Sequence, residues 1–190
     1  EQSKTKKVAI HFDDIVSSEN NGIQLDTPCE LTLTGSYKAE EKWGALFEIK
    51  SPGCFTIHNT ANITISYYQA IINSAGAEVI FEHNGGTLTH STGGQLFNLK
   101  TNDKVYLKGG EINGTVFGSG GYVEISDGVW KGSLSSVKEV KMIGGRLENC
   151  KAGENSIYAI RGAEKISING GKIYAENTNT NTTDSNRAAY

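Results

Sequence analysis

The stretch VYLKGGEI at 105–112 has a near twin in ISINGGKI at 166–173, and looser relatives in VEISDGVW at 123–130 and VKMIGGRL at 140–147. Each reads as two apolar residues one apart, a glycine-bearing pair, then another apolar residue. Residues i and i+2 of a strand point to the same side. The couple Val105/Leu107 is therefore one strand with one apolar edge, and the glycines mark the corner that follows it. The same couple occurs at Val8/Ile10, Leu31/Leu33, Phe55/Ile57, Val79/Phe81, Val123/Ile125, Val140/Met142 and Ile166/Ile168. Taken in chain order, the eight couples are separated by 23, 24, 24, 26, 18, 17 and 26 residues.

Because the couple defined the search, positions outside it are the fairer test of a repeat. Six residues before the anchor stand Leu25, Ile49, Leu99, Phe117, Leu134 and Ile160; only the Val79 unit departs, with Ile72 one place earlier. After the anchor come Gly35, Gly109-Gly110, Asp127-Gly128, Gly144-Gly145 and Gly170-Gly171, and then Ile112, Val129, Leu147 and Ile173. Three short strands and three turns thus recur per unit. Such a unit cannot bury an apolar face alone, but a stack of them encloses a continuous interior. Glycine suits the corner because sharp reversal needs positive φ or close backbone approach, which a Cβ resists. An antiparallel sandwich also shows short strands and frequent turns, yet it has no reason to keep these offsets in phase along the chain. The hexapeptide rhythm of left-handed helices is absent. The sequence therefore predicts an all-β fold, a single-stranded right-handed parallel β-helix of about seven to eight coils, roughly 35 Å long at about 4.8 Å per coil.

Composition agrees. The 190 residues include 23 Gly, 2 Pro and 1 Met, with many Thr, Asn, Ser, Ile and Val, a profile rich in strand and turn formers. A net charge of −3, with basic residues scattered among acids, leaves no basic stripe for nucleic acid. No run is apolar enough for a membrane-spanning helix. Residues 1–175 are read as the β-helix domain. Residues 176–190, ENTNTNTTDSNRAAY, lose the couples and read as a polar, disordered tail or linker. The longer units place their extra residues in SYKAEEKWGA (36–45), NTANITISYYQA (59–70), GTLTHSTGGQ (86–95) and ENCKAGENS (148–156), always between the glycine corner and the next strand. In repeat proteins a side crowded in this way often binds.

On its rung pattern and its Gly-Gly corners, residues 8–174 resemble the pectin-lyase-like right-handed β-helix family, which includes secreted polysaccharide lyases and hydrolases, adhesins and surface carbohydrate-binding proteins. Fold alone does not give function. The resemblance would imply, for a lyase, a calcium-holding carboxylate cluster beside a basic residue, and for a hydrolase, paired aspartates. Neither pattern is legible here, so no catalytic residue, metal ligand or cofactor is assigned. His11, Asp13 and Asp14 read as a polar cap on the first coil, and Asp127 as a turn former. Glu124 and Glu148 read as solvated surface beside Lys141 and Arg146; His58, His83 and His90 stand isolated.

A binding surface would show instead as aromatic platforms flanked by hydrogen-bonding groups. One residue past the third strand's anchor come Asn113, Trp130, Glu148 and Tyr174, expected to point outward. Trp130 and Tyr174, two coils or about 10 Å apart, with Glu148, Arg146 and Lys172 around them, are the expected sugar platform. Tyr67 and Tyr68 are a second candidate. Cys29 and Cys54 lie close to their anchors on neighbouring coils, compatible with a disulfide or with a pair of thiols. Three readings follow. The first is a non-catalytic secreted or cell-surface bacterial module, its export signal outside this sequence, that binds polysaccharide or surface glycan or acts as an adhesin. The second is a polysaccharide lyase or glycoside hydrolase or a fragment of one; the third is a structural spacer.

Overall fold

A computed structural model describes residues 5–17, 22–39, 44–66, 69–74, 77–151, 156–177 and 185–189. Strands alternate buried and outward residues, as in Glu78–His83 and Tyr122–Ile125, and each strand hydrogen-bonds to the strand one coil earlier and one coil later. All of these pairings are parallel. The result is a parallel β-solenoid, all-β and without helices among the described residues, as the repeat predicted. Six coils each contribute three separate strands. Before them, two N-terminal coils run across the first corner in single long strands, Lys6–Ser17 and Cys29–Ala39. Those two strands join the first and second walls of the tube into one sheet of 14 strands; the third wall is a separate sheet of 8. Among the described residues no helix is long and apolar enough to cross a membrane.

Glycine makes the first corner because successive coils touch there. Gly128 has φ of 80° and lies so close to the coil below that a Cβ would sit 2.6 Å from the Gly110 carbonyl oxygen. That carbonyl accepts the Val129 N–H at 3.0 Å, and Gly86 in turn accepts the Glu111 N–H at 2.9 Å. A side chain here would displace the ladder that defines the corner.

Inside the tube, side chains stack in rows set by the pairing register. One row of the first wall runs Leu31, Ile57, Phe81, Val105, Val123 and Val140. This corrects two expected anchors. Phe55/Ile57 and Val79/Phe81 are each displaced by two residues, and the couples in register are Ile57/Asn59 and Phe81/His83. A slip of two keeps every side chain on its face, so burial alone could not betray it. The neighbouring row therefore places Asn59 and His83 inside, both fully buried. They meet side chain to side chain: Asn59 Nδ2 donates to His83 Nδ1 at 2.9 Å and to the Ala61 carbonyl at 3.2 Å, while Asn59 Oδ1 accepts the Ala61 N–H at 3.3 Å; His83 Nε2 is buried with no hydrogen-bond partner. On the second wall His90 is also buried, its Nδ1 accepting the Gly94 N–H at 3.0 Å across a tight turn. Asp103 bridges two segments, taking the Val79 N–H at 3.1 Å and the Lys100 N–H at 2.9 Å.

A second correction lies on the third wall. Val116, not Phe117, pairs with Phe97 and Leu134 and points inward; Phe117 is 57% exposed. Of the polar C-terminal segment, Ser185–Ala189 forms a strand on this same wall, paired with Ser156–Arg161. The four stretches with extra residues each include part of a second-wall strand, namely Cys29–Ala39, Asn62–Ile65, Thr87–His90 and Arg146–Lys151.

Candidate binding surface

The second wall's outer face carries most of the expected platform, with one member removed. Trp130 sits in the row Ile112, Trp130, Leu147, Ile173 and is fully buried. Its ring packs 6.2 Å from that of Phe97, which lies 5.1 Å from Phe81, and Nε1 donates to the Gly114 carbonyl at 3.0 Å. Hiding an indole inside, with its N–H satisfied, gains far more than leaving it in water. The offset rule itself points the same way. Ile112, Leu147 and Ile173 all lie seven residues past their anchors, and seven past Val123 is Trp130, not Val129. The outward row is Asn113, Lys131, Glu148, Tyr174.

What remains converges on Tyr174, which is 43% exposed. Strand pairing sets Glu148 beside Tyr174 and Arg146 beside Lys172. The Arg146 guanidinium lies 5.0 Å from the Tyr174 ring centroid, and its Nε is ion-paired with Glu148 Oε1. Flanking this group, Lys131 Nζ contacts Glu111 at 2.8 Å. Arginine over an aromatic face contributes about 0.5–1 kcal/mol at an exposed site. A tyrosine ring bordered by a guanidinium, an ammonium and a carboxylate offers an apolar face for a sugar's C–H groups and donors and acceptors for its hydroxyls. Tyr67 and Tyr68 lie outside the described residues.

The first wall carries a second aromatic pair that the sequence reading did not single out. Tyr106 and Tyr122 stand on adjacent coils with ring centroids 5.7 Å apart, and Lys108 Nζ lies 5.4 Å from the Tyr106 centroid. Around them the charges pair off. Glu82 contacts Lys108 at 2.7 Å and His58 at 2.9 Å; Glu124 contacts Lys141 at 3.0 Å and accepts the Tyr122 hydroxyl at 2.5 Å. Lys104 with Glu78, and Lys165 with Glu139, both at 2.8 Å, continue the pattern. Partial burial alone would raise the Glu82 and Glu124 carboxyls; the hydrogen bonds from Lys108 and His58, and from Tyr122 and Lys141, outweigh it and hold both below the usual range. For Tyr122, burial and then the Glu124 carboxylate push the phenol above its ordinary value. Apart from Tyr122 and Glu124, two residues apart, the charged partners lie 17 to 26 residues apart in sequence, so it is the coil register that brings them together.

The remaining candidates resolve simply. Glu124 and Lys141 form the surface pair expected of them. Asp127 Oδ1 accepts the Gly128 N–H at 2.7 Å as a turn former. His58 stands between Glu82 and Glu30, and His83 and His90 belong to the interior. Cys29 is buried and Cys54 exposed, both as free thiols; burial raises the Cys29 thiol, with Lys6 opposing. Among the described residues no three of His, Cys, Asp and Glu come together as a group able to hold a metal ion. Compared with protein-family profiles, with curated proteins and with solved structures, the chain finds no match in any of the three.

Proposed function

We propose that this solenoid is a non-catalytic, extracytoplasmic module that binds an acidic polysaccharide or surface glycan on the outer face of its second wall. The observation that carries the reading is the exposed Tyr174 ring with Arg146 packed over it and Lys172 and Glu148 beside it, on a parallel sheet whose neighbouring coils present further polar groups in register. Regular spacing favours a regular polymer, because each coil meets the ligand with the same rise of about 4.8 Å. Two cations near one carboxylate favour a ligand with acidic groups.

The test is a glycan array containing uronate polymers and sulfated and neutral glycans, followed by titration of the best ligand. Retention of an acidic glycan by the native chain, lost with Tyr174→Ala and weakened with Arg146→Ala while the fold and melting temperature stay unchanged, supports the reading. No retention of any glycan, or retention indifferent to both substitutions, overturns it.

A further inference from the structure

Charges on the first wall's outer face pair off, whereas the two ends of the tube leave apolar residues exposed. In the first described coil Val8, Ile15 and Val16 are exposed, Ile15 by 42%; in the last, Ile166 and Ile168 are exposed, Ile168 by 50%. These are not stray surface residues. Val8, Ile166 and Ile168 occupy the rows that are buried in interior coils, and Ile15 heads the row of Tyr37, Ile63, Leu88, Ile112 and Trp130. At both ends the strand edges also have a neighbour on one side only. Since every pairing is parallel, the last coil presents the edge that the first coil would need beneath it.

We propose that copies of this chain associate head to tail, the last coil of one stacking under the first coil of the next. Continuing the observed rows across such a junction sets Ile166 against Val8, Ile168 against Ile10, Ile173 against Ile15, and Tyr174 against Val16. Charge fits as well. The first strand has an irregularity between Phe12 and Ile15, where Asp13 and Asp14 stand exposed, Asp14 with φ of 47°. This bulge falls in the row of Ser36, Asn62, Thr87, Glu111, Val129, Arg146 and Lys172, so Lys172 of one copy meets two carboxylates of the next. A charged bulge ordinarily blunts an edge strand; here the opposing edge carries the complementary charge. Among the described residues of the first and second walls, the one like-charged meeting, Lys165 with Lys7, involves lysines each already paired, with Glu139 and with Glu30. Such an interface is heterologous and does not close on itself, so it builds open linear assemblies rather than a dimer.

The experiment is mass measurement by light scattering across a concentration series of the 190-residue chain and its variants. The native chain is expected to grow past two copies without a plateau. Ile168→Lys blocks only the last coil and Ile15→Lys only the first. Each alone is expected to be monomeric, and an equimolar mixture is expected to give a species of two chains, since each supplies the end the other lacks. Asp13→Lys with Asp14→Lys should weaken assembly about tenfold or more, and adding Lys172→Glu should restore it, as for close charge pairs across an interface. The charge variants change exposed residues and carry the test even where an interior-row lysine prevents folding. A native chain that stays monomeric throughout overturns the proposal, because its ends are then covered from within the same chain. Dimers formed by either single variant alone also overturn it, because the contact is then symmetric. Glycan binding by a monomer is untouched by either result, so this inference and the proposed function fail separately.

Discussion

Two lengths of the same tube solve the problem of an interior differently. From 104 to 147 the buried side chains are all apolar, with Trp130 at the centre; from 54 to 99 the interior also holds Asn59, His83 and His90. Both are built on the same parallel rows, so the backbone does not demand a dry core. Polar groups that face inward are held by partners in their own coil or the next. Asn59 and His83 bond side chain to side chain, with His83 Nε2 left unpartnered; His90 caps a turn, and Trp130 gives its single N–H to the Gly114 carbonyl.

That contrast can be broken most severely at its dry end. Trp130→Ala should cost about 3–5 kcal/mol through the cavity it leaves, read as a drop in urea midpoint with little change in slope. The polar end should instead reveal itself through pH. Burial pushes the His83 imidazole down to about 4, against an opposing pull from the Gly86 and Glu111 backbone. A depressed imidazole favours the neutral form in the fold. Its contribution is therefore intact above the unfolded value near 6.5 and is lost as pH falls toward 4, amounting to about 3 kcal/mol in all. His90, also pushed down by burial, acts in the same direction. His83→Leu should flatten the stability profile between pH 7 and 4 relative to the native chain. A profile equally steep in both would place the acid sensitivity in other groups such as Glu82 and Glu124, whose depressed carboxyls lose their contribution at the bottom of that range.

Smaller effects sharpen the comparison between inside, corner and outside. Gly128→Ala forces a Cβ onto the Gly110 carbonyl at positive φ and should cost about 1–3 kcal/mol, seen as a lower melting temperature. At the outer face, Glu124→Gln removes one member of a partly exposed ladder that also includes Lys141 and Tyr122. Its cost should be about 1 kcal/mol or less, and less again in high salt, measured by the same denaturation.

Much of this architecture was legible because apolar couples and glycine corners recur at fixed offsets, and those offsets are the coil. The Gly-Gly units from 105 to 173 were in register as read. Where expectation and structure differ, apolar character and position diverge. Asn59 looks like surface but stands in register with Leu33, and Trp130 rather than Val129 lies seven residues past its anchor and in the row of Ile112. Val116 stands one place off the usual offset in one of the two shortest coils, where Gly118 takes the level of Leu99. The site was less legible. Tyr174, Arg146, Glu148 and Lys172 were brought together as expected, but the Tyr106/Tyr122 face was invisible, because its partners meet only once the coil lengths are known.

One property of the stack reaches beyond any single residue. Each coil's hydrogen bonds reach only the coils directly before and after it, so the molecule is energetically a row of links rather than a single knot. Amide exchange should therefore be slowest in the middle and quicken toward both extremities. A defect in a central coil, such as the one containing Trp130, should not soften the whole protein evenly but divide it into two lengths that melt apart.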